Sequence, residues 1–198
     1  MNILLSSVGR RNYLVRYFQK ALNGRGLVIA TNSHTDATGM LAADHAVVIP
    51  PAGEPGFIEQ LLEVCRKFDV RLLCSLHDWE APFIASAFDQ FNKLGVIAVV
   101  SKLSVLDMCL DKYATFEFGL HENIRVPKTA LGLTATLRHL EDGHLNFPLI
   151  IKPRKGQGSI CINTVFAEDE LRSAFLMAQR IISRLDSNNL LAKDGEEN

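Results

Sequence analysis

Phe147-Pro148-Leu149-Ile150-Ile151-Lys152-Pro153-Arg154-Lys155-Gly156-Gln157-Gly158-Ser159 sets an apolar, strand-forming run directly before a basic loop that carries two glycines. A second apolar run, Ile160 to Phe166, follows the loop, so the loop joins two strands and does not open a helix; together the runs predict an antiparallel pair. This placement governs the chemistry. Glycines without a Cβ let successive backbone N–H groups turn toward an anion, and Lys152, at the end of a strand, supplies a fixed positive charge. A polyphosphate suits such a loop, as does the plainer reading of a solvated hairpin with charged tips. The residue order matches neither a Walker A site nor a G-x-G-x-x-G dinucleotide turn.

Upstream, short β-type runs at 2 to 6, 26 to 31, 46 to 49, 71 to 76 and 96 to 100 alternate with helical spacing over Asn12 to Leu22, Gly56 to Phe68 and Glu80 to Leu94. Such alternation predicts a wound parallel sheet with helices on both faces. Near residue 101 the rhythm changes. Ser101 to Leu106 and Asp111 to Glu122 read as consecutive helices, and Val126-Pro127 stops the run. The chain therefore divides into a Rossmann-like α/β domain over 1–105 and a smaller α+β domain over 106–198. That second domain includes a helix over Glu168 to Leu185 and a tail expected to fray.

Composition narrows the function. With 21 basic against 22 acidic residues in 198 and 47% hydrophobic content, the chain builds a core and carries no global field for nucleic acid or an anionic membrane. No signal segment or membrane span is read, so a cytoplasmic protein is expected. Cys65, Cys74, Cys109 and Cys161 are widely spaced among apolar neighbours, which suits reduced core thiols. No metal site is read, since His77 has no second histidine at ligand spacing. A nicotinamide site is disfavoured because the second strand ends at Thr31-Asn32-Ser33, with no acid placed for a ribose.

Three stretches carry a resemblance: Asp111-Lys112-Tyr113 opening a helix, Val126-Pro127, and Phe147 to Pro153 with its glycine loop. Their order and spacing resemble the ATP-grasp superfamily. The opening, with Ser6-Ser7-Val8-Gly9-Arg10-Arg11, Ala43-Asp44 before Val47 to Pro50, and Asp78-Trp79-Glu80, resembles its carbamoyl-phosphate-synthase large-subunit-like branch. The resemblance covers roughly residues 1 to 185 and implies a pre-ATP-grasp domain followed by the first ATP-grasp subdomain. It implies an ATP-binding portion of a carboxylate-amine or similar ligase, with Lys112, Lys152, Arg154, Lys155, Gly156, Gln157, Gly158 and Ser159 at the nucleotide phosphates. The acidic and asparagine ligands for Mg2+ that such enzymes carry further along are not found, and Glu196 and Glu197 are poor substitutes. The expectation is thus a truncated or split enzyme, weakly active or inactive alone, with Mg2+ only if the missing half is supplied elsewhere. A second polypeptide or a homo-oligomer would then complete the site.

Ser7, Gly9, Arg10 and Arg11 form the first strand-to-helix turn, where a helix N-terminus and two guanidinium groups suit a small carboxylate or phosphate. Asp78 and Glu80 follow the fourth strand, on the edge where wound sheets place ligands, and are the other candidates for contact with a small-molecule carboxylate substrate. Asp78 is equally placed to cap the next helix. The alternative from a different class is a non-catalytic module that binds a small anion or a partner.

Overall fold

A computed structural model describes residues 1–187 of the chain. It divides into two compact units, the first Met1–Asp107 and the second beginning at Met108. In the first, β1 (Asn2–Ser6), α1 (Asn12–Leu22), β2 (Val28–Asn32), α2 (Thr38–Ala42), β3 (His45–Val48), α3 (Phe57–Lys67) and β4 (Val70–Ser75) follow in order. A 3-10 turn (Asp78–Glu80), α4 (Ala81–Ser86), α5 (Phe88–Lys93) and β5 (Ile97–Val99) complete it. All neighbouring strands pair in parallel, in the order β3-β2-β1-β4-β5. The fold is the α/β class expected from the alternation.

Strand periodicity of two explains the core. Leu4, Ile29 and Leu73 point to one face, where they meet Phe57, Leu61, Ile84 and Phe91; Ile3, Leu5, Val28 and Ala30 point to the other, against Val15, Leu22 and Met40. Because β1 and β2 are covered on both faces, their sequences read as continuous apolar runs. β3, at an edge, is mostly exposed. Two glycines allow close approach. A Cβ on Gly26 would fall 1.9 Å from the Met1 carbonyl oxygen, and one on Gly39 would fall 2.8 Å from Val8 Cβ, so α2 rests directly on the turn after β1.

Where structure and pattern differ, the reasons are local. Glu80 to Leu94 is not one helix: Ala87 departs to φ −97° and ψ 9°, with its amide shared between the Phe83 and Ile84 carbonyls. Apolar spacing continues through Ile84, Ala87 and Phe91, which conceals the break. Asp78 lies inside the 3-10 turn and makes no side-chain cap. At five residues α2 is too short to show a period.

In the second unit, α6 (Leu103–Leu110), within which the boundary falls, is followed by α7 (Lys112–His121), α8 (Gly132–Glu141), β6 (Leu149–Ile151), β7 (Asn163–Val165) and α9 (Glu168–Ser187). α8 carries two threonines and starts at a glycine with φ 77°, which hides it from a propensity reading. β6 and β7 form the antiparallel pair, with Leu149 opposite Val165 and Ile151 opposite Asn163. The return strand is shorter than expected because Ser159 (φ 61°) and Cys161 (φ 57°) adopt left-handed backbone, which no strand holds. The expected fraying and the acids Glu196 and Glu197 fall on 188–198, outside the described residues.

The cysteines are not uniformly buried. Cys65 is buried, Cys74 and Cys161 are intermediate and Cys109 is exposed, all as free thiols. Burial pushes the Cys65 thiol up to about 12, against a small opposing effect of Arg66, and raises Cys74 as well. Since the thiolate is the reactive form, an alkylating reagent at mildly alkaline pH should label Cys109 first and Cys65 only on unfolding. Peptide mass spectrometry over a time course checks this; equal labelling rates would show that the helix carrying Cys65 is loosely packed.

Candidate functional site

β6 ends at Ile151, and the next residues, Lys152-Pro153-Arg154, meet the start of α7. Asp111 caps that helix: its Oδ1 accepts from the Tyr113 and Ala114 amides at 2.9 and 3.0 Å. Its Oδ2 accepts from Arg154 Nε at 2.7 Å, and the Arg154 carbonyl accepts from the Lys112 amide at 3.0 Å. Lys112 Nζ in turn donates to the Gly156 carbonyl at 2.8 Å. The glycine loop is therefore tied to one helix start by three bonds.

Electrostatics follow from these contacts. Burial works to raise the Asp111 carboxyl, but the hydrogen bond from Arg154, the two helix amides and the guanidinium charge outweigh it, leaving the group below its ordinary value. Lys112 is lowered, first by burial and then by the nearby Lys152 charge, against the pull of Asp111. Lys112 and Lys152 are thus near enough for each to feel the other's charge.

The sign for Asp111 is that of a depressed carboxylate. Its stabilising contribution is present above the unfolded-state value and is lost as pH falls through the lower folded-state value. The melting temperature should therefore fall on acidification through and below the ordinary carboxylate range, and fall less for Asp111→Asn, which keeps a cap acceptor. Parallel melts across that range provide the check; identical pH profiles would mean that Asp111 contributes nothing through its charge.

Beside the loop, the second unit carries a half-open cavity of about 570 Å³, inside the roughly 300–1,000 Å³ range of small-molecule sites. Its body is apolar, with Val126, Leu131, Ile151 and Phe175 in the wall, and Lys112, Lys152 and Arg154 also line it. Gly156 (φ 119°), Gly158 (φ 70°) and Ser159 hold backbone that favours glycine, and the space where a Cβ would stand on either glycine is open. Lys152, Gly158 and Ser159 are exposed; Lys155 and Gln157 are half-buried. The structure thus gathers Lys112, Lys152, Arg154 and Gly156, which the sequence separates by about forty residues. Asp111 opens the Asp111-Lys112-Tyr113 motif, and its place beside the loop is visible only in the structure. Its capping role has a sequence signal, since an aspartate immediately before a helix is a cap signature.

The first unit holds the other candidates by itself. β1 and β4 are parallel neighbours with Ser6 beside Ser75, so Ser7 to Arg11 and Asp78 to Glu80 emerge on the same edge. Glu80 is buried: Oε1 accepts from Ser6 Oγ (3.0 Å) and Ser7 Oγ (2.6 Å), and Oε2 accepts from Ser75 Oγ (2.6 Å). Thr31 Oγ1 donates to Ser6 Oγ at 3.0 Å. This hub joins the ends of β1, β2 and β4 and holds Ser7 at φ 51°. Gly9 (φ 49°) donates its amide to Asn32 Oδ1 at 3.3 Å, and the Arg11 guanidinium lies over it. Arg10 and Asp78 are exposed. Among the described residues no group of three or more His, Cys, Asp or Glu side chains is gathered to hold a metal ion, and no helix is long and apolar enough to cross a membrane.

Residues 3–100 match the family model described as the PylC-like N-terminal domain. No curated protein matches the chain. Among solved structures, the biotin carboxylase domain of Hydrogenobacter thermophilus 2-oxoglutarate carboxylase aligns with TM-score 0.65 at 16% identity, over 92% of this chain and 41% of that one. L-amino acid ligase from Bacillus licheniformis aligns with TM-score 0.63 at 21% identity, over 96% and 43%. N5-carboxyaminoimidazole ribonucleotide synthetase from Thermotoga maritima aligns with TM-score 0.58 at 18% identity, over 87% and 42%. The chain spans about two fifths of the length of these structures.

Proposed function

We propose that this chain, which carries the N-terminal part of the ATP-grasp fold with a PylC-like first domain, grips the phosphates of ATP in its second unit as part of a carboxylate-activating ligase. One observation carries the reading. Lys112 and Lys152, on different elements, line the same apolar cavity beside a loop of left-handed glycines, and their mutual repulsion is what an anion between them would relieve. The residues fit the cofactor: two ammonium groups and a loop whose Gly156 and Gly158 leave room for close approach suit phosphate oxygens, with Lys155 and Gln157 in the same loop, and the apolar wall suits a base. Magnesium, arriving with the nucleotide, would neutralise charge on the transferring phosphoryl group.

In this reading the turn from Ser7 to Arg11 receives the small carboxylate substrate, with Glu80 holding the turn in shape from beneath. Bound ATP would supply the phosphoryl group that activates such a carboxylate toward a nitrogen nucleophile, with phosphate as the leaving group. Calorimetric titration of the chain with ATP, tripolyphosphate and adenosine tests the phosphate grip. ATP and tripolyphosphate should bind, and adenosine at least about tenfold more weakly, the loss expected when charge-assisted contacts are absent. Adenosine binding as tightly as ATP would sink the proposal. Tripolyphosphate binding as tightly as ATP would instead favour a small-anion module.

A further inference from the structure

We propose that Asp111 and Arg154 are positioning residues, whose ion pair clasps the glycine loop to the start of α7 and so sets the placement of Lys112 relative to Lys152. The inference rests on the phosphate-grip reading and reassigns Arg154 within it, from a direct phosphate contact to a residue acting through Asp111.

Both carboxylate oxygens of Asp111 are committed, Oδ1 to two helix amides and Oδ2 to Arg154 Nε, and the residue is 5% exposed. Releasing Arg154 toward a ligand would leave a buried carboxylate without its cation, which is strongly unfavourable. The guanidinium also lies 5.9 Å from the centre of the Tyr113 ring, on the same helix. Arg154 is therefore built into the helix start.

Geometry passes from this pair to both lysines. Lys112 follows Asp111 directly and donates its amide to the Arg154 carbonyl, so its position is fixed by the same two residues. Lys152 precedes Arg154 by two residues across Pro153, whose ring restricts the intervening backbone. Both ammonium groups thus hang from one clasp. The bond from Lys112 Nζ to the Gly156 carbonyl is of a different kind, a neutral acceptor at the end of a flexible side chain, and an arriving phosphate competes for it. The fixed pair sets the spacing while the loop tip remains exchangeable.

Two measurements on Asp111→Asn, Arg154→Gln and the double variant test this. In the ligand-free protein, hydrogen exchange across residues 153–160 and at the Lys112 amide should rise about tenfold or more in each single variant, as expected when a local clasp is lost. Affinities for ATP and tripolyphosphate should fall about tenfold in each, and the double variant should be no weaker than either single one, because both remove one shared interaction. Arg154→Lys, which keeps the charge and loses the planar donor, should fall between. Unchanged loop exchange in Asp111→Asn overturns the clasp. Arg154→Gln weakening the ligands far more than Asp111→Asn restores a direct phosphate contact. A loosened loop with unchanged affinity reduces the pair to a structural role. If the wild type binds neither ligand, the phosphate reading fails, and the exchange measurement alone still decides whether the pair holds the loop.

Discussion

Lys152→Ala should weaken ATP binding about ten- to hundred-fold while leaving the melting temperature of the ligand-free protein within error of wild type, since a charge-assisted contact is worth roughly 1.5–3 kcal/mol. The side chain is exposed at the end of β6, so truncating it opens no cavity. Its loss also removes the repulsion that helps depress Lys112, which should partly compensate. For that reason the Lys112→Ala, Lys152→Ala double variant should lose more than either single one. If the site stays wet the effect shrinks toward the lower end, because exposed charges are screened. Calorimetric titrations with matched melting curves decide it: equal affinity of wild type and Lys152→Ala removes this lysine from the site, and with it the main support for a phosphate grip.

Phe91→Ala should cost about 3–5 kcal/mol, the range for deleting a fully buried aromatic ring. Phe91 is wholly inaccessible, packed in the core face that also holds Phe57, Leu61, Leu73 and Ile84. Phe118→Ala, at a position 43% exposed, should stay within about 0.5 kcal/mol. Denaturant unfolding of both variants provides the comparison, and a loss below about 1 kcal/mol for Phe91→Ala would show that the face around it collapses freely. The contrast extends to the two units. Among the described residues, the buried apolar side chains of the second are Leu145, Val165, Leu171 and Ala178, and a cavity lies among its elements. A ligand that fills that cavity stabilises the second unit by mass action.

Glu80 separates position from side-chain direction. Its place after the fourth strand puts it at the ligand edge of the sheet, and its carboxylate turns inward to three serine hydroxyls. Strand-end position follows from local pattern; the direction of the side chain depends on which strands become neighbours. Arg154 is parallel. A basic residue in a glycine loop reads as a phosphate contact, and only its approach to Asp111, 43 residues earlier, reveals that its Nε–H is committed to a carboxylate.

By itself the sequence determined the parallel sheet and the strand-loop-strand setting of the basic glycines. These are written in apolar periodicity and turn chemistry, which act over a few residues and need no partner. The tertiary structure alone decided which charges meet: Lys112 with the Gly156 carbonyl, Asp111 with Arg154, and Glu80 with Ser6 and Ser7. Such contacts join residues 43 to 74 positions apart, and no local preference encodes them. They exist because β1 pairs with β4 and because β6 delivers its end to the start of α7, so their geometry is fixed by the path of the chain.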